Sequence, residues 1–586
     1  MKKKIISLIL AVLFVATSAA TLLVLPASAD SWDGTSVAAA FSGGKGTEAE
    51  PYLIGSAAEL AYLSASHTEI KAADESTPVY YKLTTDVNLQ NNLWTPIGTS
   101  KTENPFKGVF DGDNHTISGF NVELPIEGSG SASAGLFGGA DGAVIKNVRV
   151  IGTKCTGTYS GGILAYGVNG VKVLNCYTKI DYIDGFGVGA VVGRTESTIN
   201  EAEIFGCVSD SNIEVKNYHT KKDVFAGGIV GVAGGCTVSY CTSNTNITIN
   251  HDDPDPESKK THLIGGIIGC QGAINSPTFV RYCYSTGTIK GYTAAVAESY
   301  PAFAGGIVGR ASHIPGGSVE NCFTTAKIVW TATKDATETT TEDKNHFGDI
   351  AGQVRYAVKF VDCYALSDHF IGTDDTSETD LTQFKALTEN QMKGDEALKN
   401  MNLKVSAEKT LEDTIKSSLE NANYYPEELT DMEKFTEGKS LLEYMTAFVA
   451  ANYQMPASGE VWTTTPGELP TITNLEVAYK IGRISNDVSA MIEEELKVLD
   501  AKVKAAEETD DGSDNTTEGS NTTTNTPSDS GKVTTPSAND TKPNTPSTNT
   551  GSNDAGCAGC GGFTAVATLA ALLVGSAAFV VIKKKF

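Results

Sequence analysis

The chain has few basic side chains and few of the residues that usually serve as catalytic bases. Its 586 residues include 45 Lys and Arg against 70 Asp and Glu, a formal net charge of −25 at pH 7, and only eight His. This acidity argues against nucleic acid as a partner, because phosphates are bound by basic patches. None of the eight His is followed by Glu, so the His-Glu-x-x-His motif of zinc peptidases is absent. The Gly-x-Ser-x-Gly nucleophile elbow and the phosphate-binding loop are absent too.

What the chain does contain is a recurring glycine-rich phrase, such as Gly-Gly-Ile-Val-Gly at 227–231 and again at 305–309. The phrase occurs seven times between 135 and 352, at intervals of about 25 to 45 residues, which is typical of a solenoid. Each copy is followed by two further short segments in which β-branched and polar residues alternate. Three strands per repeat, with glycine at corners that need positive φ or close backbone approach, predict a stack of parallel coils. The repeat glycines are Gly135, Gly161, Gly189, Gly227, Gly265 and Gly305.

Six of the eleven Cys occupy one position of this repeat. Equal positions of stacked coils lie about 4.8 Å apart, so we interpret these Cys as an inward ladder of small apolar side chains. The same spacing also permits some disulfides between neighbours. We predict neither a metal site nor a cofactor, because no Cys-x-x-Cys lies in the predicted folded region and no His recurs with the ladder. The ladder consists of Cys176, Cys207, Cys241, Cys283, Cys322 and Cys363.

The glycine phrases resemble the GLUG motif of bacterial surface proteins, which is named for sequences such as Gly-Leu-Phe-Gly at 135–138. The resemblance covers roughly 52–365 and implies a right-handed parallel β-helix of the pectate-lyase type. It specifies architecture better than function, since the family includes adhesin-like proteins and the stalks of some secreted metallopeptidases. The segment 462–470 resembles the tail that closes many such repeat regions.

The two ends of the chain carry targeting signals. Three Lys, an apolar core and Ala-x-Ala predict a signal peptide at 1–29, with an uncleaved anchor as the alternative. A Thr/Ser/Asn/Pro-rich stretch at 510–556 predicts a disordered linker. The segment 557–586 holds a 20-residue apolar run followed by three Lys, which predicts a transmembrane anchor or a sorting signal. We expect the body to lie on the extracellular face, anchored in the cell membrane of a Gram-positive bacterium.

Between these ends we predict an N-terminal cap with the first coils at 30–133 and repeats at 134–366. A helical insertion with the C-terminal cap follows at 367–482, and a helix at 483–509. The fold class is therefore an all-β solenoid, a right-handed parallel β-helix, with a mostly α-helical C-terminal cap, a disordered linker and one C-terminal transmembrane helix. Apolar periodicity predicts helices over 382–403, 411–422, 433–451 and 485–508. The stripe of the last helix either packs on its own domain or pairs with another chain.

Insertions accumulate at one point of the repeat, after the third strand. They cover 216–226, 251–264, 292–304 and 331–347, and they should line one edge of the solenoid. Repeat proteins often bind ligands where insertions accumulate, although an edge that merely tolerates loops would look the same. The candidate binding residues are Asp223, Asp253, Asp255, Tyr292, Tyr300 and Trp330.

Two groups of residues permit a catalytic interpretation. Asp111, Asp113 and His115 could serve in acid–base chemistry, but an Asp-Gly turn before a strand explains the same phrase. The second group could form a polysaccharide-cleaving or calcium-binding face. It consists of the acidic residues at 251–257, of Asp181, Asp184 and Asp223, and of Arg194 and Arg310.

Our first hypothesis is a non-catalytic adhesin that binds a glycan or a host or cell-surface protein. The alternatives are a β-helical polysaccharide lyase or glycoside hydrolase, and a passive structural component of the surface.

Overall fold

The computed structural model describes fourteen segments of the chain. They are 32–99, 103–126, 132–198, 201–215, 223–249, 261–272, 276–292, 302–312, 317–331, 347–355, 358–376, 379–422, 436–456 and 459–510. The predicted signal peptide, almost all of the predicted linker and the C-terminal apolar run lie outside these segments. Within them, no helix is both long and apolar enough to span a bilayer.

The segments from 52 to 386 form a parallel β-solenoid, as predicted. We name its four sheets I to IV in the order in which one coil visits them. A representative coil has five short strands rather than the predicted three, because the corners interrupt the chain every few residues. They are Tyr159–Gly161 in sheet I, Leu164–Val168 in sheet II, Lys172–Leu174 in sheet III, and Tyr177–Ile180 and Ile183–Asp184 in sheet IV. The right-handed sense of the coil stays a prediction.

Sheets I and II carry the glycine phrase at the corner between them. The strands of sheet I are Ser133–Ala134, Tyr159–Gly161, Gly187–Gly189, Val224–Gly227, His262–Gly265, Ala302–Gly305 and Phe347–Gly348. The strands of sheet II are Phe137–Asp141, Leu164–Val168, Val192–Glu196, Val230–Ala233, Ile268–Gln271, Val308–Ser312, Ala351–Arg355 and Ile371–Asp374.

Sheets III and IV complete each coil. Sheet III contains Tyr52–Ile54, Tyr80–Leu83, Val109–Asp111, Val144–Lys146, Lys172–Leu174, Ala202–Phe205, Cys236–Ser239, Thr278–Arg281, Ser318–Glu320 and Lys359–Val361. Sheet IV begins with Val87–Asn88, Thr116–Glu123 and Arg149–Thr156 and then divides into two arms. Arm a contains Tyr177–Ile180, Val208–Ser209, Thr242–Ser243, Tyr284–Ser285, Phe323–Thr324, Cys363–Ala365 and Phe384–Ala386. Arm b contains Ile183–Asp184, Asn212–Val215, Asn246–Ile249, Thr288–Tyr292 and Lys327–Thr331.

The phrase glycines are required by close approach and not by positive φ. A Cβ on Gly231 would lie 2.6 Å from both the Gly193 carbonyl oxygen and the Val188 nitrogen, and its φ is not positive. Positive φ occurs at a different corner, at the residue that precedes each ladder Cys. Asn and Tyr hold several of these left-handed positions, which the sequence analysis did not predict. They are Asn175, Tyr240, Tyr282 and Asn321, and Asn147 holds the equivalent position before Val148 in an earlier coil; all five have φ between 51° and 54°.

The ladder Cys point into the apolar core, as predicted. All six are buried together with the inward residues of the four sheets. They are free thiols, as are the three other Cys within the described segments.

The chain also contains five α-helices within the described segments. Helix α1 (Ala57–Ser66) is capped by Ser56 and buries Leu60 and Leu63 at the start of the solenoid. Helices α2 (Gly394–Asn400), α3 (Ala407–Asn421), α4 (Leu441–Asn452) and α5 (Leu475–Asp510) follow the last coil. The prediction of one helix over 382–403 is wrong. Two 3-10 turns (Leu381–Gln383 and Glu389–Met392) and the strand Phe384–Ala386 replace its first half, because Phe384 packs in the core of the last coil, and only α2 in the second half is α-helical.

The C-terminal segment packs along one flank of the solenoid, in addition to covering its end. Phe384 stacks at 5.2 Å on Phe370 and closes the last coil. Beyond it, residues from Leu387 to Ala478 bury an aromatic column on the outside of successive coils, whose members are Phe205, Tyr240, Tyr284, Phe323 and Tyr364. Helices α3, α4 and α5 then share a separate apolar cluster. That cluster buries the predicted stripe of α5, so the stripe packs on its own domain. A two-stranded antiparallel pair, Trp462–Thr463 with Thr471–Ile472, completes the region.

Candidate binding edge

The four insertions leave the solenoid at one corner, between arm b of sheet IV and sheet I. The strands that precede them stack in register through Ile213, Ile247, Ile289 and Ile328. The strands that follow them stack in register as well, through Phe225, Leu263 and Phe303. In-register coils are about 4.8 Å apart. The insertions therefore start and end at successive levels of the same edge, which we name the loop edge.

An earlier coil shows how short this corner is when it carries no insertion. Asp184 ends its strand of arm b, and Gly187 begins the next strand of sheet I, so Gly185 and Phe186 alone make the connection. A Cβ on Gly185 would press against backbone atoms of the preceding coil, and its φ of 156° lies at the limit of the extended region. The solenoid itself therefore needs no long loop at this corner.

Asp223 is the candidate residue whose side chain the structure describes best. It lies beside Thr261 of the next coil, and its carboxylate accepts a hydrogen bond of 2.9 Å from the Thr261 backbone N–H. Burial raises the pKa of Asp223, and the hydrogen bond and the positive charge of Arg310 oppose this only in part. The carboxyl group is thus held in place at the base of the loop edge.

The other candidates are only partly placed. Asp253, Asp255 and Tyr300 lie outside the described residues. The backbone of Tyr292 pairs with Thr331, and that of Trp330 pairs with Gly291, which puts both at the ends of adjacent strands of arm b. Their role in binding stays a prediction.

A cluster of which the sequence analysis named only Arg194 lies where sheets I and II meet. Tyr159 and Tyr166 form an edge-to-face pair with ring centroids 5.0 Å apart. The guanidinium of Arg194 lies 5.6 and 5.4 Å from these two rings, and its Nη2 is 3.7 Å from Glu196 Oε2. The Tyr166 hydroxyl donates to the same carboxylate. Apart from Arg194 itself, the hint in the sequence was a Tyr on each side of one glycine phrase.

Arg310 occupies the same column of sheet II as Arg194, as their equivalent positions predicted. Register places Val232 and Cys270 between them. The Arg310 Nε–H donates to Gln353 Oε1 at 2.6 Å, and the Gln353 amide donates to Asp375 at 3.0 Å. This chain of hydrogen bonds orients the Arg310 guanidinium and explains its burial without a catalytic role.

The Asp111, Asp113 and His115 side chains do not converge on one site. Asp111 is paired with Lys146 at 3.2 Å, Asp113 with Lys82 at 3.0 Å, and His115 contacts Asp86 at 3.2 Å. Burial works against ionisation of Asp111, but hydrogen bonds from Asn147 and from the Asp113 N–H, with the Lys146 charge, lower its pKa. These contacts favour the structural explanation of the motif.

Two of the acidic corner residues that could have bound calcium, Asp184 and Asp223, accept hydrogen bonds from the protein itself. Asp184 accepts hydrogen bonds of 2.8 Å from the Tyr182 hydroxyl and from the Gly185 N–H. In the part of the chain that the structure describes, no three or more His, Cys, Asp or Glu side chains group together in a way that could hold a metal ion. The acidic stretch 251–257 lies outside that part.

Comparison with known proteins gives limited likenesses. No family model matches the chain. Over 195 residues, 31% of this chain, it is 33% identical to halomucin of Haloquadratum walsbyi, and the match spans 2% of halomucin. A Bacteroides ovatus protein described as a candidate immunoglobulin A1 protease superposes over 53% of this chain and 86% of its own, with 22% identity and a TM-score of 0.39. An IgA1 protease superposes over 50% of this chain and 20% of its own, with 15% identity and a TM-score of 0.33.

Proposed function

We propose that this protein is a non-catalytic surface-binding protein that holds a glycan or a host or cell-surface protein at its loop edge. The observation that carries the proposal is the common origin of the four insertions. Strands on both sides of every insertion are stacked in register, so the loops cannot be scattered over the surface. A rigid scaffold that presents a row of loops is a common arrangement for recognition.

The chemistry at the base of this edge suits binding. Asp223 is held in place by the hydrogen bond that the Thr261 N–H donates to its carboxylate. A fixed carboxylate is a good acceptor for sugar hydroxyl groups or for the cationic side chains of a protein ligand.

Export and anchoring form part of the proposal. The segment 1–29 would direct the chain out of the cell, and the apolar run within 557–586 would hold it at the membrane. The linker at 510–556 would then carry the solenoid away from that surface. The likeness of the glycine phrase to the GLUG motif of bacterial surface proteins supports this placement.

The test is to remove one loop without disturbing the coils beside it. Thr331 ends a strand and Phe347 begins the next, and both are buried, so only 332–346 should be replaced, with a five-residue Gly-Ser connection. The matched control deletes an equal stretch of fifteen residues, 511–525, from the linker. Both full-length variants and the parent are compared on a glycan array and on host-cell surfaces, with an assay for released sugar.

We expect the loop variant to lose binding at least tenfold while its thermal unfolding is unchanged, and the linker variant to bind as the parent does. Equal binding by the loop variant and the parent would contradict the role of the loop edge. Release of reducing or unsaturated sugar would replace the proposal with the polysaccharide-cleaving alternative.

A further inference from the structure

The six ladder Cys form one uninterrupted column through six consecutive coils. Each Cys from Cys176 to Cys322 directly precedes a strand of arm a, and Cys363 begins one. These strands pair residue for residue, Tyr177 with Val208, Val208 with Thr242, Thr242 with Tyr284, Tyr284 with Phe323 and Phe323 with Tyr364. Each ladder Cys is therefore the direct neighbour of the next. In-register strands are about 4.8 Å apart, within the Cα separation of about 4.4 to 6.8 Å that a disulfide bridges.

The thiols also contact the neighbouring coils directly. The Cys241 thiol donates to the Ser239 carbonyl of its own coil at 3.3 Å and to the Ile204 carbonyl of the preceding coil at 3.6 Å. The Cys241 N–H in turn donates to the Cys283 sulfur at 3.4 Å. The sulfur of one coil thus lies against the backbone of its neighbour, with no side chain between them.

Three other buried Cys lack this arrangement and serve as internal controls. The in-register neighbours of Cys236 are Ala202 and Thr278. Those of Cys270 are Val232 and Arg310. Cys155 likewise lies between Val122 and Ile183. All three are as deeply buried as the ladder, so burial alone does not distinguish the two groups.

We propose that the ladder is a disulfide-forming modification site, at which a small-molecule disulfide oxidises neighbouring thiols pairwise and cross-links successive coils. One ladder thiolate attacks the small disulfide, breaks its S–S bond and releases one small thiol, which leaves a mixed disulfide on the protein. The neighbouring ladder thiolate then attacks the protein sulfur of this mixed disulfide and releases the second small thiol. Two protein thiols are oxidised, one small disulfide is reduced, and the two protein protons leave on the small thiols.

Six thiols in a column can form at most three cross-links of this kind, and only one arrangement uses all of them. It joins Cys176 to Cys207, Cys241 to Cys283, and Cys322 to Cys363. We expect this arrangement because any other pairing of neighbours leaves two thiols unpaired.

The same burial determines when the reaction takes place. Burial raises the pKa of the Cys176 and Cys322 thiols well above the ordinary value and that of Cys363 to about 12. All six ladder thiols are buried in the folded protein, so a ladder that has folded in the reduced state offers no path for an oxidant. Oxidation occurs before the coils have stacked, and stacking then selects the neighbouring partner. This inference requires an oxidant during folding and does not rest on the proposed binding function.

The test compares two samples of the same full-length protein, prepared in different ways, in the same mixture of oxidised and reduced glutathione. One sample is refolded from the denatured, reduced state, and the other is folded and reduced before the mixture is added. Free thiols are alkylated under denaturing conditions, and cross-linked peptides are mapped without reduction. Protein that is secreted into an oxidising compartment is mapped in the same way and replaces the first sample if refolding fails.

We expect the three neighbouring cross-links in the refolded or secreted protein, and alkylated Cys155, Cys236 and Cys270. The sample that was folded first should keep its ladder reduced. Alkylation of all six ladder thiols in the refolded or secreted protein would overturn the proposal, as would cross-links at the three control Cys as often as within the ladder.

Two variants sharpen the result. Cys241→Ala should reduce the number of cross-links from three to two, whereas Cys236→Ala should leave three. The cross-linked parent should unfold at a higher denaturant concentration than the same sample after reduction, because the cross-links restrict the unfolded chain. An unchanged midpoint after reduction would contradict the claim that the cross-links join stacked coils.

Discussion

Substitution of a single phrase glycine should destabilise the solenoid strongly, and Gly231→Ala is the sharpest case. A Cβ at this position would lie 2.6 Å from the Gly193 oxygen, 2.6 Å from the Val188 nitrogen and 2.7 Å from the Val188 carbonyl carbon. Ordinary contacts begin at 3.4 Å, so backbone atoms must move by about 0.8 Å on two sides. All three atoms are backbone atoms of the preceding coil, so no flexible side chain can yield to the added Cβ.

We expect a loss of about 3 kcal/mol or more in the free energy of unfolding, the upper part of the range for overpacked cores. The coil that contains Gly231 and the preceding coil must separate, which also weakens hydrogen bonds between them, such as that from the Val192 N–H to the Ile229 carbonyl, now 2.9 Å long. Equilibrium denaturation followed by far-ultraviolet circular dichroism at strand wavelengths measures the effect.

Gly482→Ala is the matched control, because it makes the same chemical change where there is room. Gly482 lies inside α5, its φ is not positive, and a Cβ added there would meet no atom within 4 Å. Ala is favoured over Gly inside a helix by about 1 kcal/mol, so this variant should be slightly more stable. A Gly231→Ala protein as stable as the parent would refute the reasoning that close approach of the backbone explains the glycine phrase.

Three further predictions follow from buried or paired groups. In the reduced, folded full-length protein at pH 8, at most the two Cys outside the described segments should react with Ellman's reagent, whereas all eleven should react after denaturation. The reason is burial, which raises the pKa of thiols such as Cys363 to about 12. Fast reaction of more than two thiols in the folded protein would contradict the burial of the ladder. Trp462→Ala should lower the free energy of unfolding by about 3 kcal/mol, because the Trp462 ring packs 6.1 Å from the Phe323 ring on the flank of the solenoid. The helical region should become sensitive to protease while the circular dichroism signal of the strands persists. Unchanged protease resistance would contradict this prediction. The pKa of Asp111 is lower in the folded than in the unfolded chain, so its stabilising effect is present above the ordinary pKa and is lost as pH falls through the lowered one. The stability difference between the parent and Asp111→Asn should therefore shrink between about pH 5 and pH 2, and a difference that grows on acidification would contradict it.

The candidate site was only partly predictable. The equivalence of Arg194 and Arg310 followed from their fixed distance after a glycine phrase, and register confirms it. The common corner of the four insertions could be expected for the same reason, because a strict repeat fixes where each extra segment begins. The contact of Tyr159 with Tyr166 could not be expected, since it depends on the angle at which sheets I and II meet.

The sequence by itself determined the repeating part of this protein. Regular spacing of glycine, of apolar residues and of the ladder Cys is enough to specify stacked coils, because every coil contacts mainly the next one and equal positions must meet. The inward direction of the ladder followed from the same argument. Local periodicity also located the stripe at Val488, Ile492, Leu496 and Leu499, although α5 begins at Leu475 rather than at the expected 485.

Only the tertiary structure decided where the non-repeating parts lie. The apolar faces of the helices after the last coil could be buried equally well at the end of the solenoid or along its flank. They pack along the flank because the outward aromatic column that includes Phe205 and Tyr364 offers apolar surface across several coils. Likewise, Asn and Tyr hold left-handed corners because their neighbours on both sides are fixed by stacking, which outweighs the usual cost of positive φ. Contacts between residues far apart in the chain depend on the shape of both surfaces, and no local pattern encodes that shape.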